Sequence, residues 1–288
     1  MDLSRIVRKI KGICALVRVE ITFLVTPFAI IVPFMALNEF PDLKKMICLF
    51  IASTVGFYCG NIFNGFADMD IDKDNPRTSG RPMVMQSVSK KEAIALIGLS
   101  GLIIVFCTWM IDWFFLFLLP IPMVISLVYS LTKRVTWLCH FILATVQAMI
   151  PVAAWLIFRS IWDFEWILIG GSVFLWAAAF ELLYSIQDVE YDRSVNLHSV
   201  PVRFGVKNTI LMSLAMHILS LIFLFLFAYF VKAGIFFYVG CAIGALMFAY
   251  EFICVLKNSS GILARVLAIN QLYNIELMVF AVLDFYYR

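Results

Sequence analysis

Long apolar runs alternate with short polar breaks along the whole of this chain. The runs lie at about 21–38, 46–67, 93–111, 113–131, 137–158, 164–187, 209–231, 234–256 and 266–285. Each approaches the ~20 residues that a helix needs to cross ~30 Å of hydrocarbon. A membrane β-barrel requires alternation with period two, and no such pattern is present. Of the 288 residues 63% are hydrophobic and 14% charged, and 28 are phenylalanine. Soluble domains carry about a quarter charged residues. The expectation is an all-α integral membrane protein with nine transmembrane helices. The basic stretch before residue 20 resembles the start of a signal peptide, but no small-residue cleavage site follows, so the first run is read as a retained helix.

Charge placement tests the count. With the N-terminus in the cytoplasm, 5 of the 22 lysines and arginines fall outside: Lys44, Lys45, Arg159, Lys232 and Arg288. The remaining 17 fall inside, and removing one span reverses every later loop and spoils the bias. The N-terminus is therefore expected in the cytoplasm and the C-terminus outside. A net charge of +3 is too small to say anything of nucleic acid; no nucleic-acid partner is expected, and no obligatory protein partner is evident. The seven cysteines form no C-x-x-C pair and read as small apolar packing residues. The three histidines lack the spacing of a zinc site.

Two breaks on the inner side are longer than the rest, at about 68–92 and 188–208, and they open alike. Asp68-Met-Asp70-Ile-Asp72-Lys73 matches Asp188-Val-Glu190-Tyr-Asp192-Arg193, acid for acid and base for base, at a constant offset of 120. This is the mark of an internal duplication in a single domain, with pseudo-repeats of roughly 1–135 and 136–288 that would face each other across a bundle. Asn64, Asp68 and Asp72 are four apart and form one row on a helix, as do Asp188 and Asp192. Asp70 and Glu190 point off those rows and read as solvated.

Clustered carboxylates repel one another and call for a counter-ion. Magnesium takes one or two carboxylates together with water and phosphate oxygens. Two clusters suit two such ions on either side of a diphosphate, where they would stabilise its departure. A calcium loop of the EF-hand type wants glycine and glutamate where this chain has Lys73 and Ser79. Arg77, Lys133 and Arg134 are candidate diphosphate contacts. For Arg81, Lys90 and Lys91, topogenic charge is a sufficient reading. Glu251 and Glu276 are the acids deep within spans, expected to be packed or bonded to a neighbour. A secondary transporter, which also combines duplication with membrane acids, is the competing class.

The three segments together resemble the UbiA superfamily of intramembrane aromatic prenyltransferases. Asn64, Asp68 and Asp72 match its N-x-x-x-D-x-x-x-D motif, and Asp188 and Asp192 its D-x-x-x-D motif. Tyr129, Lys133 and Arg134 match its Y-x-x-x-K-R segment. The resemblance implies a bundle around a central cavity under a cytoplasmic polar cap. It implies Mg2+, expected as two ions, held by Asn64, Asp68, Asp72, Asp188 and Asp192, with a polyprenyl diphosphate as donor. Departure of the diphosphate leaves an allylic cation for an electron-rich ring to attack, and a dry, aromatic-lined cavity suits a cation. Tyr129 and Tyr184 are the aromatics nearest the motifs.

Within the superfamily, "QDVEYDR" and "LHSVPVRFG" resemble the 4-hydroxybenzoate polyprenyltransferase branch and its menaquinone futalosine-pathway relative. That implies a small aromatic acid as acceptor, of the 4-hydroxybenzoate type or alternatively a dihydroxynaphthoate, in ubiquinone or menaquinone biosynthesis. It also implies a bacterial cytoplasmic (inner) membrane, with the site facing the cytoplasm. Three positions depart from common members: Gly65 and Glu181 where aspartate is frequent, and Phe57 where arginine is frequent. Arg18 is the candidate replacement for that arginine.

Overall fold

The computed structural model of the chain describes residues 3–257 and 262–288. Among the described residues nine helical segments are long and apolar enough to cross a membrane. Seven agree with the runs read from sequence to within three residues at each end. The first and sixth differ, and both differences bear on function.

The first span is not one helix from 21 to 38. A charged helix α1 (Leu3–Val17) is followed by a 3-10 segment, Val19–Leu24, and then by α2 (Phe28–Ala36). Arg18 takes the left-handed conformation (φ 59°) and Ile21 is non-helical (φ −116°, ψ 17°). The break lies in the stretch Val19 to Thr26, rich in β-branched residues that form helix poorly. Pro27, which has no N–H to leave unpaired, then caps α2. The sixth span runs on to Ser194, seven residues past its expected end, because the motif itself is helical.

The chain divides into two compact units. The first, from residues 1–22 and 51–131, contains α1, most of α3 (Leu43–Ala67), α4 (Met69–Asp74), α5 (Lys90–Ile111), α6 (Phe115–Leu118) and nearly all of α7 (Pro120–Thr132). Leu16 and Val17 of α1 pack with Ile62, Met83, Val88 and Ala93. Helix α5 is inside out by the standards of a soluble protein: Ser100 and Thr108 are buried, while Leu99, Leu102, Phe106 and Trp109 are exposed. Only an apolar solvent makes that arrangement favourable.

The second unit, from residues 23–50 and 132–288, contains α2 and α8 (Cys139–Phe158), α9 (Glu165–Ser185), α10 (Val189–Ser194), α11 (Val200–Phe204), α12 (Val206–Phe230), α13 (Ile235–Leu256) and α14 (Ile262–Tyr287). Helix α9 packs closely on both α8 and α12. Its antiparallel register with α12 is set by buried serines. Ser172 and Ser220 each donate to the other's carbonyl at 2.9 and 2.8 Å, and Ser213 donates to the Ala179 carbonyl at 2.8 Å. Gly171 allows the approach, since a Cβ there would lie 2.7 Å from the Phe223 ring. Glu251 is bonded as expected, accepting from Asn270 Nδ2 at 2.7 Å, and Trp176 Nε1 donates to Asn270 Oδ1 at 2.8 Å.

Candidate functional site

Helix α3 stops at Ala67 because Asp68 turns to φ −95°, ψ 5°, and α4 then carries Asp72. The i to i+4 pattern survives the break: Asp68 N bonds the Asn64 carbonyl at 2.9 Å and Asp72 N the Asp68 carbonyl at 2.8 Å. The row of Asn64, Asp68 and Asp72 therefore persists, and Asn64 Nδ2 donates to Asp68 Oδ2 at 3.0 Å. Asp70 and Asp74 are exposed, while Asp72 is buried.

Asn75, extended ahead of Pro76, ends α4 and starts a turn in which its Oδ1 accepts from Arg77 N at 2.9 Å. The turn carries Arg77 outward, exposed, and brings Arg81 back. Arg81 Nη1 meets Asp72 Oδ2 at 2.6 Å. Arg81 is thus more than topogenic charge: it neutralises a buried motif carboxylate. No spacing rule marks this contact, because a turn and not a helix closes it. Gly65 is packed closely, since a Cβ there would lie 2.9 Å from Leu16 Cδ1 and a side chain would require that leucine to move. Arg18 and Tyr129, both in this unit, are half-buried.

The second motif repeats the backbone. Helix α9 tightens into a 3-10 turn, Ile186–Asp188, Asp188 takes φ −98°, ψ 0°, and α10 follows for six residues, as α4 does. Asp188 is buried and Asp192 wholly so, while Glu190 is exposed. Lys133 Nζ lies 2.7 Å from Asp192 Oδ1. Backbone contacts hold the lysine there, with His198 N donating to the Lys133 carbonyl and Leu197 N to the Asp192 carbonyl, both at 2.8 Å. Arg134 is exposed, and Tyr184 is half-buried with its ring 5.7 Å from that of Phe180.

Two polar residues of α8 that the sequence reading passed over lie beside this motif. His140 is buried within electrostatic reach of Lys133 and Asp188. Gln147, two turns further along the same face, donates to Glu181 Oε1 at 3.3 Å. Glu181 in turn sits two turns before Asp188 on α9. A buried glutamine in the middle of an apolar run was the available signal.

Among the described residues no three histidine, cysteine or acidic side chains converge as a metal cage. Carboxylates instead come as a pair in each motif, and Asp192 Oδ2 is buried without a hydrogen-bond partner. That donor set fits magnesium, which binds through one or two carboxylates and draws its other ligands from water and phosphate.

The sequence profile of the UbiA prenyltransferase family matches residues 24–275. The chain belongs to this family. Among curated relatives, the 4-hydroxybenzoate octaprenyltransferase of Shewanella halifaxensis (strain HAW-EB4) is 29% identical over 182 residues, 59% of each chain. That of Shewanella oneidensis is 26% identical over 183 residues, 59% of this chain and 60% of the relative. The chain therefore spans about three fifths of the length of these UbiA relatives. A UbiA homolog from Aeropyrum pernix K1, solved in its apo form, superposes with a TM-score of 0.83 at 28% identity, covering 92% of this chain and 98% of the homolog. A UbiA homolog from Archaeoglobus fulgidus bound to GPP and Mg2+ gives 0.69 at 17% identity, covering 94% and 99%, and shares the fold.

Proposed function

We propose that this chain is a magnesium-dependent polyprenyltransferase that moves a polyprenyl group from an allylic diphosphate to a small aromatic acceptor of the 4-hydroxybenzoate type. One observation carries the reading. The acidic motif occurs twice, with the same backbone break at its first aspartate and a basic partner on its last. Two anionic platforms, each already partly neutralised, are what a dinegative or more highly charged leaving group with its metal ions requires. The names of the Shewanella relatives support the reaction class, and the GPP- and Mg2+-bound homolog supports the donor and the metal.

In this reading Asn64, Asp68, Asp72, Asp188 and Asp192 hold two magnesium ions. Bound there, magnesium would neutralise charge on the diphosphate as it leaves. Lys133 is fixed against Asp192 and has ammonium protons left for phosphate oxygens. Arg77 and Arg134 are exposed and would add guanidinium contacts to the diphosphate. Tyr129 and Tyr184 face the allylic cation, and Arg18 takes the acceptor carboxylate. The charge bias of the loops supports a site on the cytoplasmic side.

The test is an assay of membranes containing the protein, offered a prenyl diphosphate with 4-hydroxybenzoate and with dihydroxynaphthoates, products being read by mass spectrometry. Prenylated 4-hydroxybenzoate that requires magnesium supports the reading. Product from a dihydroxynaphthoate alone moves the acceptor to the naphthoquinone series. Release of diphosphate with neither acceptor altered, or full activity without divalent metal, overturns it.

A further inference from the structure

Helix α1 is set apart in character from the apolar helix that completes the first candidate span, Ile6–Ala36. It holds Arg5, Arg8, Lys9 and Lys11 and no acidic residue, and the left-handed Arg18 cuts it from the apolar helix that follows. Its apolar positions make a broad arc, of which one half rests on its own unit. There Gly12 lies against Ser87 and Val88, and Leu16 and Val17 pack with Met83, Val88 and Ile62. Lys9 fastens this half by donating to the Ser87 carbonyl and Glu92 Oε2, both at 2.8 Å.

The other half of the arc is uncovered. Val7 is 43% exposed and Ile10 55%, and Cys14, seven residues after Val7 on the same stripe, is exposed too. Arg8 and Lys11 are exposed on one side of that stripe. On a helix of 3.6 residues per turn Lys11, four after Val7 and three before Cys14, adjoins the stripe, and Arg8 lies about a third of a turn from its centre.

We infer that α1 is an interfacial helix bound to anionic lipid head groups, with Val7, Ile10 and Cys14 entering the acyl boundary and Arg8 and Lys11 meeting the phosphates. Three points favour lipid over another protein. The rest of the chain is embedded in a bilayer, so a head-group layer is always within reach. The uncovered stripe is narrow, far short of what a stable protein interface buries. Its border is cationic without a single acid, which matches an anionic surface and repels a second copy of itself. The docked helix would also brace the loop after Asp72, which rests on its inner face.

The test uses the whole protein in nanodiscs of phosphatidylcholine alone and of phosphatidylcholine mixed with phosphatidylglycerol, and follows backbone hydrogen exchange across residues 6–17. Catalysis is not measured, so the outcome does not depend on the proposed reaction. Exchange is expected to slow about fivefold per basic side chain when phosphatidylglycerol is present. The slowing should vanish in high salt and in the Arg8→Gln/Lys11→Gln double variant. Equal exchange in both lipids overturns the inference, as does protection that follows protein concentration and not lipid charge. A nitroxide on Cys14 gives a second reading. Collisions with oxygen exceeding those with a water-soluble nickel complex support burial in the acyl boundary, and the reverse order overturns it. The lipid comparison on the unaltered chain stands whether or not the variants fold.

Discussion

The two acidic motifs are copies in backbone and differ in how they are held. Asp68 and Asp188 share a conformation to within a few degrees, and each begins a six-residue helix. The first copy then neutralises itself locally, through a turn that returns Arg81 to Asp72 nine residues on. The second takes Lys133 from 59 residues earlier in the chain, and its Asp192 is sealed from solvent. The two motifs share the backbone break beneath their first aspartate, and each meets its own counter-charge. The carboxylates are therefore the constrained part, and the bases are solutions to a shared electrostatic problem.

If both copies are needed, Asp68→Ala and Asp188→Ala should be equally damaging. Each is expected to lower magnesium-dependent prenyl transfer by at least about a hundredfold, the usual loss when a group that stabilises developing charge is removed. Circular dichroism in detergent should show both variants helical. A variant of one copy with near-normal turnover would break the symmetry and leave a site built on the other alone.

The counter-charges should separate the copies. Lys133→Met strands a carboxylate whose side chain has no solvent contact, whereas Arg81→Met leaves Asp72 with 7% of its side chain open to water. The lysine is itself about one-third exposed, so the loss stays below the 3–5 kcal/mol of a fully buried pair. About 2 kcal/mol is expected for Lys133→Met and about 1 kcal/mol for Arg81→Met, from reversible unfolding in mixed micelles. Exchange in the arginine variant should quicken within residues 75–89, and in the lysine variant around residues 192–198. An arginine variant the less stable of the two would reverse the comparison.

Much of this was legible in sequence because the membrane writes it plainly. Runs long enough to span are set by bilayer thickness, so the spans could be counted, and the motif rows follow from a four-residue spacing that survives the break at Asp68. What escaped has a common cause. The Asp72–Arg81 pair is closed by a turn at Asn75-Pro76, and Lys133–Asp192 by backbone bonds from Leu197 and His198, so neither distance is encoded in any period. Helix α1 was missed as an element because the basic stretch before residue 20 read as a lead into the first span, and the break at Arg18 leaves no mark in hydropathy. His140 and Gln147 acquire meaning only once α8 is packed against α9.

The smallest effect is the sharpest check on the row geometry. Asp70 and Glu190 occupy the same place in the two copies, two residues after the first aspartate, and both are exposed. An exposed carboxylate at that position turns away from the row and exchanges with solvent at little cost. Asp70→Asn and Glu190→Gln are each expected to change turnover less than about twofold and stability by less than about 0.5 kcal/mol. Magnesium titrations should give the same half-saturation as the unaltered protein. A weakened magnesium response in both variants would mean that the metal is held by alternate residues as well as by every fourth, and the helical row would no longer define the site. The same response in Glu190→Gln alone would place a ligand in the second copy that the first does not use.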